Sequence, residues 1–149
     1  GMWASQNVEL LKKIHEDGHE IANHGYYHKD HKKIDLNRNL QEISYTHKLI
    51  KELIGVEMDL FMPPSGSYGT QTLEAAESLG YKTIMWSKDT IDWRDKDTNL
   101  ICKRATKNIE NGDIVLMHPT AQTRDALKDI ISTYKTAGFN IVPISENIG

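Results

Sequence analysis

The chain has 149 residues and a mass of 17.0 kDa, the size of one compact domain, and 38% of its residues are hydrophobic. Its 18 basic and 21 acidic residues are well mixed and give a formal net charge of -3, which excludes the basic surface typical of nucleic-acid or anionic-membrane binding. No apolar run reaches the length of a membrane span, and the first residues lack the basic and apolar regions of a signal peptide.

Apolar spacing predicts five helices, each of which ends at a glycine. The first lies within residues 5–18, and the second, within residues 35–55, has Asp35 as its expected N-cap. The other three are expected within residues 70–80, 97–112 and 123–138.

Five short apolar segments alternate with these helices and predict strands. They are "HEIAN", "MDLFM", "YKTIMW", "DIVLM" and "NIVPI". Such alternation is typical of parallel strands joined by helical crossovers, so we expect an α/β fold, either a barrel or an open doubly wound sheet. No repeat or linker interrupts the pattern, which predicts a single domain over residues 1–149.

The single cysteine limits the chemistry that the chain can perform. Cys102 alone forms no internal disulfide and no thiolate zinc site, so a metal would be held by histidine and oxygen ligands. Because Cys102 lies in a helical pattern, we expect it to be a half-buried core residue.

Candidate functional residues follow the predicted strands, at the end where parallel α/β folds collect their chemistry. His24 and His28 follow "HEIAN", Asp92 and Trp93 follow "YKTIMW", and His118 ends "DIVLM". This placement predicts a polar and aromatic rim at one end of the sheet.

The spacing of His24 and His28 allows both imidazoles to reach one divalent ion. The alternative is that the pair belongs to a general crowd of surface histidines. The other members of that crowd are His15, His19, His31 and His47.

The remaining candidates also have two interpretations each. The loop "MPPSGSYG" either forms a pocket wall or is an ordinary strand-to-helix turn with Thr70 as the helix cap. Asp92 could orient an imidazolium, whereas Asp89 or Asp97 could simply cap the next helix, which we accept for Asp97. A lone histidine such as His118 is usually structural, but its position beside an Asp-Trp loop favours catalysis.

Together, the segments "GHEIANHGYYH", "MPPSGSYG", "KTIMWSKDTIDW" and "GDIVLMHPT" resemble the polysaccharide deacetylase domain of carbohydrate esterase family 4. That family includes the nodulation-factor chitooligosaccharide deacetylases. The resemblance covers essentially the whole chain. The amino-acid sequences of the proline loop and of "HPT" are most similar to those of the branch found in spore-forming bacteria.

The resemblance implies a distorted (β/α) barrel that holds a divalent metal, commonly zinc, with His24 and His28 as the histidine ligands. In that family a metal-activated water attacks an N-acetyl carbonyl, and a histidine that matches His118 protonates the leaving amine. Asp92 matches the acid that tunes this histidine.

The resemblance also implies the substrate and its contacts. The substrate would be an N-acetylated or O-acetylated polysaccharide, such as peptidoglycan or a chitin-like oligomer, and the protein would work outside the cell or at the cell envelope. The implied substrate-binding residues are Pro64, Ser65, Gly66, Tyr68, Trp93 and Leu116.

Two departures from the family pattern bear on activity. The strand that ends in an Asp-Asp pair, and supplies the base and the third metal ligand, is expected upstream of Gly1, and Met62 stands where an arginine usually opens the proline loop. We therefore expect a barrel without its N-terminal strands, weaker zinc binding, and self-association through the exposed barrel edge. The leading hypothesis is a deacetylase with impaired activity. The alternative is a non-catalytic carbohydrate-binding or envelope or spore-assembly domain.

Overall fold

The computed structural model describes residues 1–149, which divide into two compact units, Gly1–Met85 and Trp86–Gly149. Each unit has a hydrophobic core of its own. The single domain over residues 1–149 stays a prediction. None of the helices combines the length and the apolar character needed to cross a membrane.

The first unit contains four helices, of which the third is the longest. They are α1 (Met2–Gln6), α2 (Val8–Glu16), α3 (Leu36–Ile54) and α4 (Thr70–Ser78). The predicted first helix is interrupted at Asn7, whose φ is -133°. Helix α3 begins as predicted, because the Asp35 side chain accepts a hydrogen bond from the backbone N–H of Arg38. It ends at Gly55, which takes a left-handed conformation that favours glycine.

Two strands of the first unit pair in parallel. Strand β1 (Leu60–Phe61) pairs with β2 (Lys82–Thr83), and Asn23 forms a single parallel bridge with Phe61. The segment predicted as the strand "HEIAN" therefore contributes only that bridge to the sheet. Side chains of α3, β1 and α4 form the core beside this ladder, and the fully buried ones include Ile43, Phe61, Ala75 and Ala76.

The second unit has the same parallel α/β design. Strand β3 (Lys88–Asp89) pairs with β4 (Val115–Leu116), and three helices follow the chain: α5 (Thr98–Thr106), α6 (Ala121–Thr136) and α7 (Ile144–Ile148). The Asp97 side chain caps α5, as predicted, by accepting from the backbone N–H of Leu100. Cys102 is half-buried against a core that contains Ile101 and Ile130, which also agrees with the prediction.

The parallel α/β class is confirmed, but the strands are shorter than predicted and the sheet is not closed. The predicted strand "NIVPI" is wrong, because α7 begins within it at Ile144. Pro143 has no N–H to donate to a ladder, and it is the residue immediately before the helix. Strand β3 lies just after the predicted strand "YKTIMW", where the sequence predicts no strand.

Candidate active-site residues

His24 and His28 lie side by side in a loop of the first unit. Their ring centroids are 5.1 Å apart, and their planes meet at 73°. The Nδ1 atom of His24 is 2.6 Å from the carbonyl oxygen of Met62. Because a carbonyl only accepts hydrogen bonds, Nδ1 carries the proton, and Nε2 of a neutral ring keeps its lone pair. Burial lowers the pKa of His24, and its effect is larger than that of the hydrogen bond to Met62, which raises the pKa. The lowered pKa favours the neutral form of the ring, which can bind a metal.

The backbone of this loop takes two left-handed turns. Gly25 has a φ of 72°, and His28 has a φ of 53°. A Cβ atom at Gly25 would lie 2.9 Å from Nε2 of His31, so glycine is required there by both conformation and space. The fully buried Asn23 fixes the start of the loop, since its Oδ1 accepts from the N–H of Gly25 and its Nδ2 donates to the carbonyl of Ile43.

The prediction that His31 is one of the surface histidines is wrong. Its side chain is fully buried, and its Nδ1 donates to Oδ1 of Asn39 over 2.6 Å. Burial lowers the pKa of His31, and its Nε2 has no hydrogen-bond partner. His31 therefore packs beneath the loop as a neutral ring. His47 is also half-buried, between the hydroxyl of Tyr81 and the carboxylate of Glu57.

Two buried polar residues of α3 also support the loop, and neither was predicted. Asn39 contacts His31, and Glu42 accepts hydrogen bonds from the backbone N–H groups of Tyr26 and Tyr27. A signal was present in the sequence, because both residues fall within the apolar stripe of α3. Buried polar side chains on such a stripe need specific partners.

The histidine pair fits a divalent metal by the chemistry of its donors. Imidazole nitrogen is a common zinc ligand, and a carbonyl that holds the distal N–H is the usual way to orient a ligating histidine. His24 and His28 also line a cavity of about 420 Å³ in the first unit, with apolar Leu11 and Ile21 on its wall. No group of three or more His, Cys, Asp or Glu side chains suited to a metal is present.

The proline loop forms a short 3₁₀ turn over Pro64–Gly66. Ser65 and Gly66 both take left-handed conformations, with φ values of 56° and 63°, so the loop is tightly shaped. Pro64 is buried, whereas Ser65 and Tyr68 are exposed and free to meet a ligand. Thr70 is not the cap of α4, because Gly69 occupies the N-cap position.

In the second unit, the predicted pair of Asp92 and His118 is in direct contact. Oδ1 of Asp92 accepts from Nδ1 of His118 over 2.7 Å, and Oδ2 accepts from the backbone N–H of His118 over 2.5 Å. Asp92 is fully buried, whereas the His118 side chain is 46% exposed. This arrangement places the proton of His118 on Nδ1 and leaves Nε2 as the atom able to exchange a proton.

A further partner of Asp92, the hydroxyl of Thr123, was not predicted. It donates to Oδ2 over 2.7 Å from the first turn of α6. Burial raises the pKa of Asp92, but the hydrogen bonds from His118 and Thr123 outweigh burial and lower the pKa below its ordinary value. Asp92 is therefore ionised at neutral pH. Its three hydrogen bonds satisfy a charge that burial alone would neutralise.

The residues around Asp92 form a strained turn. Ile91 has a φ of 53°, which is rare for a β-branched residue, and its backbone N–H donates to Oδ1 of Asp89. Asp89 is therefore not a helix cap but the acceptor of this turn. Trp93 is 59% exposed, with the guanidinium of Arg94 6.0 Å from its ring, and Leu116 is half-buried at the end of β4.

Comparison with known proteins identifies a common family. The family model described as polysaccharide deacetylase matches residues 1–84. Protein YlxY of Bacillus subtilis is 38% identical over 146 residues, which cover 98% of this chain and 46% of that protein. A peptidoglycan-N-acetylglucosamine deacetylase of Bacillus cereus is 32% identical over 157 residues, with 98% of this chain and 71% of that protein covered.

Among solved structures, a pseudoenzyme of carbohydrate esterase family 4 from Bacillus anthracis matches with a TM-score of 0.96 and 32% identity. The match covers 100% of this chain and 53% of that one. A mutant of the pseudoenzyme, described as having restored enzymatic activity, matches equally well at 0.96. The chain thus spans about half the length of YlxY and of the pseudoenzyme. From the family match and these relatives, we conclude that the chain belongs to the polysaccharide deacetylase family of hydrolases.

Proposed function

We propose that the chain forms part of a metal-dependent deacetylase that removes N-acetyl or O-acetyl groups from a cell-wall polysaccharide, such as peptidoglycan or a chitin-like oligomer. The observation that carries this proposal is the pair of adjacent imidazoles, His24 and His28, with Nδ1 of His24 fixed on the Met62 carbonyl. The peptidoglycan deacetylases among the relatives support both the substrate class and a place at the cell envelope.

His24 and His28 are the residues that would hold the metal, with zinc as the favoured ion. When bound, such an ion polarises an acyl carbonyl and activates water at neutral pH. His118 would deliver a proton from Nε2 to the leaving amine, because Asp92 binds the opposite edge of its ring. Exposed Trp93, half-buried Leu116 and the proline loop over residues 64–68 are proposed to contact the sugar chain.

The likeness to known deacetylase structures supports a distorted (β/α) barrel for the complete domain, a single domain to which residues 1–149 contribute. Upstream strands would then supply the Asp-Asp pair and cover an edge through which this chain could otherwise self-associate. A role in the spore envelope rests on the family branch alone.

The second candidate is a non-catalytic carbohydrate-binding or assembly domain. Two observations favour it: the similarity to a family pseudoenzyme, and Met62 in place of the usual arginine. In this case the exposed aromatic and proline-loop residues would bind glycan without any hydrolysis.

Acetate release separates the two candidates. Peptidoglycan and N-acetylglucosamine oligomers are incubated with a zinc-loaded protein in which the natural upstream sequence precedes Gly1. The acetate that is released is measured enzymatically. We expect release that His118→Ala abolishes and that His19→Ala, a change at an exposed histidine, leaves intact. Glycan binding without acetate release, unchanged in His118→Ala, would contradict the enzyme and support the binding domain.

A further inference from the structure

We propose that Glu42 is a positioning residue for the metal site, since its buried carboxylate holds the backbone between His24 and His28 in the shape that lets both rings reach one ion. This inference rests on the proposed function, because it assigns the support of the same histidine pair. Glu42 would not touch the metal or the substrate, and it acts through the loop.

The contacts of Glu42 are directed at the middle of the loop. Its Oε2 accepts from the N–H of Tyr26 over 2.9 Å and from the N–H of Tyr27 over 2.7 Å. Two consecutive N–H groups that converge on one oxygen form a small anion-binding nest. Because the two donors lie between His24 and His28, this one oxygen fixes the segment that joins the two proposed ligands.

The other carboxylate oxygen has a charged partner of its own. Oε1 of Glu42 accepts from Nη2 of Arg38 over 2.7 Å, one helical turn earlier in α3. The Glu42 side chain is 1% exposed, and the guanidinium of Arg38 also lies 5.5 Å from the ring centre of Tyr27. Arg38 thus gives the buried carboxyl group a charged partner, and a hydrogen bond to a charged group is stronger than one between neutral groups.

The loop needs such support because its conformation is intrinsically costly. His28 is a non-glycine residue with a φ of 53°, and Gly25 at the other end has a φ of 72°. Non-glycine residues persist in the left-handed region only when their surroundings over-determine them. Without the carboxylate, the N–H groups of Tyr26 and Tyr27 lose their acceptor, and His28 is then free to return to an ordinary backbone conformation.

A zinc titration followed by NMR tests the positioning role without any measurement of activity. The imidazole signals of the seven histidines report which rings bind zinc and with what affinity. We expect zinc to perturb His24 and His28 in the wild-type chain, and Glu42→Gln to weaken binding at least about 10-fold, the usual cost of losing an outer-shell partner. The matched control is Glu52→Gln, the same change at an exposed position of the same helix, which should leave the affinity within about 2-fold.

The outcomes distinguish the inference from the function on which it rests. If His28→Ala binds zinc as well as the wild type, the metal pair itself is wrong and the positioning role falls with it. If His28→Ala loses binding while Glu42→Gln keeps the wild-type affinity, the pair stands and the role of Glu42 is refuted.

A second measurement covers the case in which Glu42→Gln does not fold. Amide hydrogen exchange of the wild-type chain should show slow exchange at Tyr26 and Tyr27, and Glu42→Asp, which keeps the charge but shortens its reach, should accelerate both. Fast exchange at these two amides in the folded wild type would overturn the inference. So would unchanged exchange together with unchanged zinc affinity in Glu42→Asp.

Discussion

The two units each contain a loop with candidate site residues and a buried carboxylate, but the carboxylate has a different task in each. In the first unit, Glu42 binds backbone N–H groups, and the histidines of the loop carry out the proposed chemistry. In the second, Asp92 binds the imidazole of His118 directly, and the strain falls on its neighbour Ile91. One carboxylate thus shapes a backbone, whereas the other fixes the orientation and tautomer of a side chain.

The difference teaches where each loop is vulnerable. Asp92 satisfies three donors within a buried setting, so its loss leaves several polar groups unpaired at once. The first loop is supported by hydrogen bonds to Asn23 and Glu42, and Gly25 leaves the space in which the ring of His31 packs. Variants that remove one support at a time therefore test whether the contrast between the two loops is real.

The largest effect is expected for Asp92→Ala. Because the change unpairs the N–H of His118 and the hydroxyl of Thr123 and leaves a cavity, it should lower the free energy of unfolding by about 3 kcal/mol. Urea unfolding measures the loss. The control is Asp125→Ala, an exposed residue paired only with Arg124 at the surface, which should cost less than about 0.5 kcal/mol. Equal effects of the two changes would contradict the central role of Asp92.

The next largest effect is expected for Gly25→Ala. The added Cβ meets Nε2 of His31 at 2.9 Å on a left-handed backbone, which should lower the free energy of unfolding by about 2 kcal/mol. Gly55→Ala is the matched control, since Gly55 has the same φ of 72° but no atom within 4 Å of the added Cβ. It should cost only about 1 kcal/mol. If urea unfolding gave the same loss of unfolding free energy for Gly25→Ala and Gly55→Ala, crowding against His31 would not be the cause.

The pH dependence of stability should report Asp92. Its pKa is lowered in the folded chain, so it stabilises the fold above the ordinary aspartate pKa of about 4, and this stabilisation is lost as the pH falls through the folded value. Unfolding free energies measured from neutral to acidic pH should therefore fall less steeply in Asp92→Asn than in the wild type. Parallel curves for the two proteins would show that Asp92 does not contribute to acid sensitivity.

The smallest effect is expected at the turn before Asp92. Asp89→Ala removes the acceptor for the N–H of Ile91 and should cost about 1 kcal/mol, whereas Asp89→Asn keeps an acceptor oxygen and should cost less than half as much. Urea unfolding again gives the values. The same order should appear in the NMR line width of the His118 imidazole, if the turn helps to orient Asp92. If Asn destabilises as much as Ala, the hydrogen bond is not what supports the turn.

Periodicity and capping were enough to predict the main helices and the parallel class. Asp35 and Asp97 cap their helices as expected, because an N-cap depends on residues close in sequence. Strand length was not predictable in the same way, since a strand exists only where a neighbour supplies its hydrogen bonds. Residues 19–23 and 140–144 both have the composition of strands. The first segment forms only the bridge between Asn23 and Phe61, and in the second segment helix α7 begins at Ile144.

The candidate residues were predictable by type and position, but their supports were not. The contact between Asp92 and His118 was expected from the Asp-Trp loop and the strand end, and the structure brings the two side chains together. Thr123 and Glu42 were missed, because their contacts with Asp92 and with the backbone of Tyr26 and Tyr27 exist only in the folded chain. Asn39 was missed although it lies only eight residues from His31, because its place on the apolar stripe of α3 shows that it is buried and not which partner it contacts. His31 was misjudged since composition alone does not distinguish a buried histidine from an exposed one.

The hydrogen bond from Thr123 to Asp92 means that the position of the Asp92 carboxylate depends on residues that are distant in the sequence. His118 lies 26 residues from Asp92, and Thr123 lies 31 residues away, so both contacts close long loops of chain. A local opening that detaches α6 from the rest of its unit would release Thr123 and so weaken the arrangement that holds the His118 ring. The proton transfer proposed for His118 would then be lost before the whole unit unfolds. The time for which α6 stays packed against its unit would set how long His118 stays correctly oriented.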